Sequence, residues 1–354
     1  RMDGTAILSD LKSGKHLQQF KGHKRGRLTG VSRVAFHPDG RHLITAGNDR
    51  TIRYWPLHQS QASRKITLSA FEQVTSLAFS PDGKTLASST WQGRVRLHGK
   101  KTLELPQKPR FGRNPLTFSP DGRFLIVGRG EADSKMRVWD VAKKKVAKTI
   151  PRQHQFGIND LAYSPRGNVL AWTEAGKKVV IHDADSLAQV RILKQDRNPA
   201  RIAFRPKSDV LVVGGTDYSL VFWNWKTGEK IREQNIGMVP CSLTFSPDGK
   251  WLAVGELFQD VLLFDAASGV QEPKIQGHNA KVVAVAFTPD GKRLISADED
   301  GIVKLWDIVS RQEVLTLRIE KAIHSLAVSR DGNQIAIGIL GGVHIYDARN
   351  FNGN

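Results

Sequence analysis

A five-residue turn motif that recurs about every 41 residues constrains the fold of this 354-residue chain more than any other feature. A typical copy has an aromatic residue first, proline third and glycine fifth. Proline pre-sets φ for a tight turn, and glycine takes the positive φ that other residues resist. The copies begin at Phe36, Phe79, Phe118, Tyr163, Phe204, Phe245, Phe287 and Val328, at intervals of 39 to 45 residues. This spacing indicates a structural unit that is repeated and stacked.

One repeat, at residues 276–318, shows what the unit contains. Residues 282–287 form a β-branched and apolar run, 293–297 a shorter one, and 301–308 alternate apolar and polar residues. The turn motif that begins at Phe287 joins the first two runs, and residues 313–317 add a fourth. The pattern predicts four antiparallel strands, which bury both faces only when copies of the unit pack on either side.

A second motif keeps register with the turns. About eighteen residues after most turn residues, an aromatic residue or histidine precedes aspartate or asparagine, at residues 139–140, 182–183, 223–224, 264–265, 306–307 and 346–347. Gly22-His23 and Gly277-His278 supply a further element of the signature. On these motifs the chain resembles the WD40-repeat β-propeller family over nearly its whole length.

The resemblance implies an all-β propeller, with residues 1–354 as a single domain. Eight turn motifs predict eight four-stranded blades, and seven blades are the alternative. We number the repeats one to eight, near residues 28–70, 71–106, 107–150, 151–193, 194–234, 235–275, 276–318 and 319–354. Because family members close the ring by pairing strands from both termini, residues 1–20 are expected to complete the last blade, with 16–20 beside 342–347. Because the chain starts within a repeat, we expect it to be a domain cut from, or following, another propeller-like region. An extra edge strand would also fit.

The resemblance also implies structural tetrads, in which histidine, a hydroxyl residue, aspartate and tryptophan of one blade form a buried hydrogen-bonded set. The predicted sets are His278, Ser296, Asp300 and Trp306, and His23, Thr45, Asp49 and Trp55. In the remaining repeats His98 and His182 replace tryptophan, and Val127, Val213, Val254 and Ala336 lie at or near the hydroxyl position. Histidine, serine and aspartate could also suggest a hydrolase triad, but the set occurs twice at repeat spacing and lacks a nucleophile turn.

The sequence gives little support to catalysis. It contains no phosphate-binding or dinucleotide-binding glycine loop and no metal-binding histidine motif, so we expect no enzyme activity, no cofactor and no metal. The single cysteine, Cys241, excludes an internal disulfide framework and favours a reducing, cytoplasmic location. No apolar run approaches the roughly 20 residues that span a bilayer.

Charge is the unusual property of the composition. Lysine and arginine number 53 against 34 acidic residues, a formal net charge of +19. Many of these cations fall in the loops that lead into each first strand and in the loops that join second to third strands. Both sets of loops share one rim of a propeller, which we call the loop rim. The alternative is a generally basic surface that happens to be sampled at the loops.

Three function classes follow. The favoured one is a non-enzymatic interaction scaffold or recognition domain that binds a protein partner through the loop rim. We expect such a domain to be part of a larger protein or assembly. The alternative is a binder of nucleic acid or another polyanion, and an enzyme is the third class. The residues expected to contact the partner are Lys24, Arg25, Arg27, Trp91, Arg94, Arg110, Phe111, Arg113, Arg129, Arg152 and Phe156. The charge of these residues suits an acidic partner. A competing site is the lysine run 143–145 at a hairpin tip on the opposite rim.

Overall fold

The computed structural model describes residues 5–9, 16–21, 31–36, 42–47, 52–56, 64–106, 111–128, 135–151, 158–174, 176–319 and 321–348. Contacts divide the chain into two compact units, residues 1–61 and 62–354. The described residues form strands and turns without an α-helix, so none of them belongs to a helix that could cross a membrane.

The unit of residues 1–61 contains two small antiparallel sheets. Strands β1 (Thr5–Ser9) and β2 (His16–Lys21) pair as a hairpin. Strands β3 (Val31–Phe36), β4 (His42–Gly47) and β5 (Ile52–Pro56) form a sheet in that order and correspond to the first three strands of repeat one.

In the unit of residues 62–354, the described residues build seven sheets, and these are the blades of the propeller. Blade 1 has β7 (Val74–Phe79), β8 (Leu86–Thr90), β9 (Val95–His98) and β10 (Thr102–Glu104). Blade 2 has β11 (Leu116–Phe118), β12 (Phe124–Val127), β13 (Lys135–Asp140) and β14 (Lys145–Pro151). Blade 3 has β15 (Ile158–Tyr163), β16 (Val169–Glu174), β17 (Lys178–Asp183) and β18 (Gln189–Lys194). Blade 4 has β19 (Pro199–Phe204), β20 (Val210–Gly215), β21 (Ser219–Asn224) and β22 (Lys230–Asn235).

The remaining three blades complete the series. Blade 5 has β23 (Pro240–Phe245), β24 (Trp251–Glu256) and β25 (Val261–Asp265). Isolated bridges at Gln271 and Ile275 continue the outer edge of blade 5. Blade 6 has β26 (Val282–Phe287), β27 (Arg293–Asp298), β28 (Ile302–Asp307) and β29 (Glu313–Arg318). Blade 7 has β30 (Ile323–Val328), β31 (Gln334–Ile339), β32 (Gly342–Asp347) and, from the other end of the unit, β6 (Arg64–Thr67).

Packing closes the seven blades into a ring. The first strand of each blade lies innermost and contacts the first strand of the next, and β30 of blade 7 returns to β7 of blade 1. An apolar cluster fills each of the seven junctions between neighbouring blades. Ile66 of β6 belongs to the cluster between blades 7 and 1, together with Val74 and Val343. Neither face of a blade is therefore left without a partner, as the repeat period requires.

Two sequence predictions about the ring are wrong. The propeller has seven blades, which was the alternative prediction, and not eight. The strand that closes blade 7 is β6, which pairs antiparallel with β32 through Thr67 opposite Gly342, whereas 16–20 pair within the β1–β2 hairpin. The physical reason is connectivity, because β6 leads directly into blade 1 and reaches the last blade across one junction. Repeat one thus carries a turn motif without adding a blade, and its fourth strand completes repeat eight. The prediction that residues 1–354 make one domain stays a prediction.

The recurrent turn explains why each blade keeps its shape. In blade 1 the Ser80 hydroxyl donates to Asp82 Oδ1 at 2.6 Å, and the same carboxylate oxygen accepts from the Lys84 backbone N–H. Gly83 follows with φ of +70°, a conformation that costs little only for glycine. The hydrogen bond from Ser80 holds the pKa of Asp82 below its ordinary value. Equivalent serine–aspartate pairs, each with a lowered aspartate pKa, occur at Ser119–Asp121, Ser246–Asp248 and Ser329–Asp331.

Candidate functional site

Four buried polar side chains of blade 6 form one hydrogen-bonded chain. His278 Nδ1 lies 2.7 Å from Asp298 Oδ2, and His278 Nε2 lies 2.6 Å from Ser296 Oγ. The Trp306 indole N–H donates to the same Ser296 oxygen at 2.7 Å. A neutral His278 protonated on Nδ1 satisfies every atom, because Asp298 then accepts from Nδ1 and Ser296 donates to Nε2. The chain is enclosed, with His278 and Asp298 side chains at 0% and 1% exposure, and it ties together three segments of the blade.

The carboxylate in this chain is Asp298, where the sequence predicted Asp300. Side chains alternate between the faces of a strand, so Ser296 and Asp298 of β27 point to the same side. Asp298 also accepts from the Ile302 backbone N–H at 2.8 Å, whereas Asp300 is exposed in the turn that follows. Of the second predicted set, Thr45 is fully buried. His23, Asp49 and the side chain of Trp55 lie outside the described residues.

Other blades keep only fragments of this arrangement. In blade 1, His98 takes the place of tryptophan and its Nε2 lies 2.7 Å from Ser88 Oγ, while burial lowers the pKa of His98 to about 4. In blades 2 and 4 the position that Ser296 occupies in blade 6, two residues beyond the leucine opposite the tryptophan, is taken by Val127 or Val213. The indole N–H groups of Trp139 and Trp223 are buried there without a partner among the described residues. These blades depend on apolar packing.

The central channel gathers charged side chains that the sequence did not connect. Its cavity, of about 300 Å³, is lined by the first few residues of the innermost strands. Corresponding positions carry Ser76 in blade 1, Ser242 in blade 5 and Ser325 in blade 7, each of which bonds the backbone of the next blade. Blades 3 and 4 place Asp160 and Arg201 at this position instead.

Asp160 and Arg201 use most of their polar atoms on the backbone. The Asp160 carboxylate accepts from the Leu161 N–H at 2.9 Å and, across the blade junction, from the Ile202 N–H at 3.0 Å. Arg201 donates through Nε to the Cys241 carbonyl and through one terminal nitrogen to the Ala200 carbonyl. The pair therefore couples blades 3, 4 and 5 at the channel wall.

Arg113, just before β11, brings a second guanidinium to the same cavity. Repulsion from Arg201 and burial lower the pKa of Arg113 to about 10, and Asp160 only partly opposes this. Arg113 remains protonated at neutral pH, but its charge is disfavoured where it stands.

Two neighbours in the channel are uncharged at neutral pH. Burial, with help from Arg113 and Lys281, lowers the pKa of His324. Burial also raises the pKa of the Cys241 thiol, so this cysteine is a poor nucleophile.

Exposed aromatic side chains surround a groove on the loop rim, where β6 of blade 7 meets blade 1. Phe71 is 83% exposed, Phe111 73% and Trp91 42%. Backbone hydrogen bonds hold their three loops together, since Trp91 N–H donates to the Gln73 carbonyl and Gly112 N–H donates to the Trp91 carbonyl. The groove has a volume of about 710 Å³ and includes Phe71 and Phe111 in its lining. We call it the aromatic groove.

An ion cluster forms the floor and one wall of the aromatic groove. Buried Glu72 accepts from Arg96 at 2.9 Å, and Arg96 also lies 2.9 Å from Glu104. Arg94, with a side chain 46% exposed, lies within 3.3 Å of Glu104 and presents the rest of its surface to solvent. The groove thus has an ordered, charge-compensated base beneath solvent-exposed rings.

The structure places four of the predicted partner-binding residues. Trp91, Arg94 and Phe111 come together at the aromatic groove, and Arg113 lies in the channel. The other seven, Lys24, Arg25, Arg27, Arg110, Arg129, Arg152 and Phe156, lie outside the described residues. Lys143 to Lys145 are exposed at the tip between β13 and β14, and Lys143 approaches Asp140 at 4.0 Å.

Sequence reasoning missed Phe71, Asp160, Arg201 and His324. A signal existed for Asp160 and Arg201, because both are charged at a strand position that three other blades fill with serine. For Phe71, the sequence offered no signal other than an aromatic residue next to a glutamate. Among the described residues, we find no group of three or more side chains suited to hold a metal ion.

Comparison with known proteins agrees with the repeats and the ring of blades. Residues 14–56, 63–98, 116–140 and 269–307 match the family model described as WD domain, G-beta repeat. The chain belongs to the WD40-repeat family. The resemblance inferred from the turn and Trp-Asp motifs is therefore confirmed.

Several WD40 relatives align with most of the chain at low identity. Periodic tryptophan protein 2 of Saccharomyces cerevisiae is 23% identical over 87% of this chain and 33% of its own length. Serine-threonine kinase receptor-associated protein of Gallus gallus is 26% identical over 72% of this chain and 70% of its own length. WD repeat-containing protein 1 of Gallus gallus is 22% identical over 86% of this chain and 58% of its own length. The chain thus spans a third of the first of these relatives and rather more than half of the third.

Proposed function

We propose that this WD40 propeller is a non-enzymatic interaction module that binds a partner protein through its loop rim, with the aromatic groove as the contact. WD40 relatives support a protein-interaction role, and propellers of the family are typically scaffolds without enzyme activity. One relative is named as receptor-associated. The buried free thiol of Cys241 is consistent with a reducing compartment, and we propose a cytoplasmic location.

The observation that carries the proposal is the exposure of two large aromatic side chains that line one groove, Phe71 and Phe111, with exposed Trp91 in the loop between theirs. Phe71 and Phe111 expose more than two thirds of their surface to water, where a monomer gains nothing from them. Aromatic and arginine side chains dominate the energetics of protein interfaces, and the aromatic ones bury much surface for few rotatable bonds. Arg94 stands at the edge of the groove with its side chain 46% exposed, and although it already pairs with Glu72 and Glu104, its exposed face suits a partner with an acidic side chain.

The test compares partners captured by the parent chain and by two variants. The first variant carries Phe71→Ala, Trp91→Ala and Phe111→Ala. The matched control carries Phe258→Ala, Ile231→Ala and Val309→Ala, three exposed apolar residues elsewhere on the propeller. We expect quantitative mass spectrometry of affinity-purified complexes to show partners that the groove variant loses and the control keeps. Each such partner is then titrated against the purified chains.

An identical set of partners on all three chains would place the contact elsewhere and remove this proposal. The same comparison with lysines 143–145 changed to glutamine tests the opposite rim. If only the lysine variant loses its partner, the competing site is the correct one.

The net charge of +19 favours a second candidate, a nucleic acid or another polyanion. If the chain binds a polyanion through the groove, the salt concentration that elutes it from heparin should fall in the Arg94→Gln variant. If the groove binds only protein, the variant and the parent should elute at the same salt concentration.

A further inference from the structure

The central channel contains two guanidinium groups that share one carboxylate, Asp160, among the residues that the structure describes. Arg113 and Arg201 line the same cavity. Among the residues that the structure describes, neither guanidinium forms an ion pair within 4 Å. Arg201 donates through two nitrogens to the Cys241 and Ala200 carbonyls, and its second terminal nitrogen has no partner among the described residues. For Arg113, we find no protein hydrogen bond at all within the described part of the chain.

Within the described part of the chain, the channel wall has one carboxylate, that of Asp160, and it already accepts hydrogen bonds. Each oxygen of Asp160 accepts a backbone N–H, from Leu161 or from Ile202, so the carboxylate serves the junction between blades 3 and 4. Arg113 and Arg201 repel each other strongly enough to disfavour the charge on Arg113. Arg113 is exposed and Arg201 is partly buried, so an anion from solvent can reach both guanidinium groups at the channel. Two like charges that line one cavity repel each other, and an anion bound between them relieves that repulsion.

We propose that the mouth of the channel is a binding site for a small oxyanion, of the phosphate or carboxylate class, held between Arg113 and Arg201. Arg113 presents a planar fork of donors that matches the oxygens of such a group, and Arg201 adds its second terminal nitrogen. The cavity of about 300 Å³ is at the lower end of the volumes that hold small-molecule ligands, ~300–1,000 Å³. It admits one small group and excludes a nucleic-acid duplex or a folded domain.

Neutral polar groups beside the two arginines complete the site. His324 and Ser242 line the same cavity, and a neutral histidine can donate one further hydrogen bond. The anion could be free in solution or carried on an acidic side chain of a bound peptide. This site does not depend on the aromatic groove being a docking surface, because the two share no side chain.

Thermal unfolding with inorganic phosphate as the probe tests the proposal. We expect phosphate to raise the melting temperature of the parent chain above that in sodium chloride of equal ionic strength. Arg113→Gln should remove this increment and weaken phosphate binding by about tenfold or more, since one charge-assisted pair is lost. The same variant should melt at a higher temperature than the parent without phosphate, because the repulsion from Arg201 is gone. An arginine with a purely structural role would lower the melting temperature when replaced.

Arg201→Gln and a surface control complete the design. Arg201→Gln also breaks two backbone contacts, so its phosphate affinity is measured by calorimetry on the folded protein and should fall as for Arg113→Gln. Lys143→Gln with Lys144→Gln removes two exposed cations far from the channel and should keep the full effect of phosphate. The proposal is overturned if phosphate acts no differently from chloride on the parent. It is equally overturned if Arg113→Gln retains the increment.

Two further probes separate the sources of the anion. N-acetylphosphoserine amide and N-acetylglutamate amide carry the group on a side chain, and N-acetylserine amide is the uncharged control. If inorganic phosphate binds more tightly than either acidic amide, the ligand is a free anion. If an acidic amide binds more tightly than phosphate, the ligand is a side chain of a peptide. Equal binding of all probes, including the uncharged amide, contradicts the site.

Discussion

Two buried tryptophans at equivalent places in different blades differ by one hydrogen bond. Trp306 of blade 6 and Trp139 of blade 2 are both 2% exposed, and each stands opposite a leucine of the neighbouring strand, Leu294 or Leu125. Two residues beyond that leucine lies Ser296 in blade 6 but Val127 in blade 2. The indole N–H therefore has an acceptor in blade 6, whereas in blade 2 it has none among the described residues.

Replacing each tryptophan by phenylalanine measures that hydrogen bond. Both variants lose the same ring volume, but Trp306→Phe also breaks the bond to Ser296, while Trp139→Phe removes an unsatisfied donor. We expect Trp306→Phe to lower the free energy of unfolding by ~1–3 kcal/mol more than Trp139→Phe. Chemical denaturation of the two purified variants and the parent gives the difference. Equal losses would show that the polar chain of blade 6 adds nothing to stability.

At the scale of the element, local signals predicted the strands well. The four runs predicted within residues 276–318 match β26 to β29 to within one residue at each end, because turn chemistry and alternation act over a few neighbours. The tetrad was predicted less well. Asp298 and Asp300 both follow Ser296 at even spacing, and only the end of β27 decides which carboxylate is buried.

The turn motif also makes the blades sensitive to acid. Hydrogen bonds from serine lower the pKa of Asp82, Asp121, Asp248 and Asp331 in the folded protein below the ordinary value of 3.8. A depressed carboxylate pKa gives stability that is fully present above the unfolded value and is lost as the pH falls through the folded one. We expect the melting temperature to drop below about pH 4. In the variant with all four residues changed to asparagine, this drop should be smaller.

Single and double variants provide the control for the acid experiment. The dependence of melting temperature on pH should weaken in proportion to the number of aspartates removed. A fourfold variant with the same pH dependence as the parent would show that the acid response arises outside the turns.

At the scale of the whole molecule, sequence reasoning reached the repeats but not the connections between them. The number of turn motifs predicted one blade too many, because repeat one contributes its fourth strand, β6, to blade 7. No local pattern marks a four-residue strand as a partner for residues 275 to 281 positions away. The channel cluster escaped prediction for the same reason, since Arg113, Asp160 and Arg201 lie 41 to 88 residues apart in sequence and meet only when the inner strands pack together.

A disulfide across the closing strand pair tests the topology of the ring. Lys65 of β6 stands directly opposite His344 of β32. In a chain with Cys241→Ser, we expect Lys65→Cys and His344→Cys to form a disulfide on mild oxidation. The bond should stabilise the fold by ~3–5 kcal/mol, because it closes a very long loop in the unfolded chain. The matched control pairs His344→Cys with Gln18→Cys of β2, the strand first predicted to close the ring. A disulfide in that control, and none between positions 65 and 344, would contradict closure by β6. Mass spectrometry of tryptic peptides identifies the bond, and melting temperatures of oxidised and reduced chains give its effect.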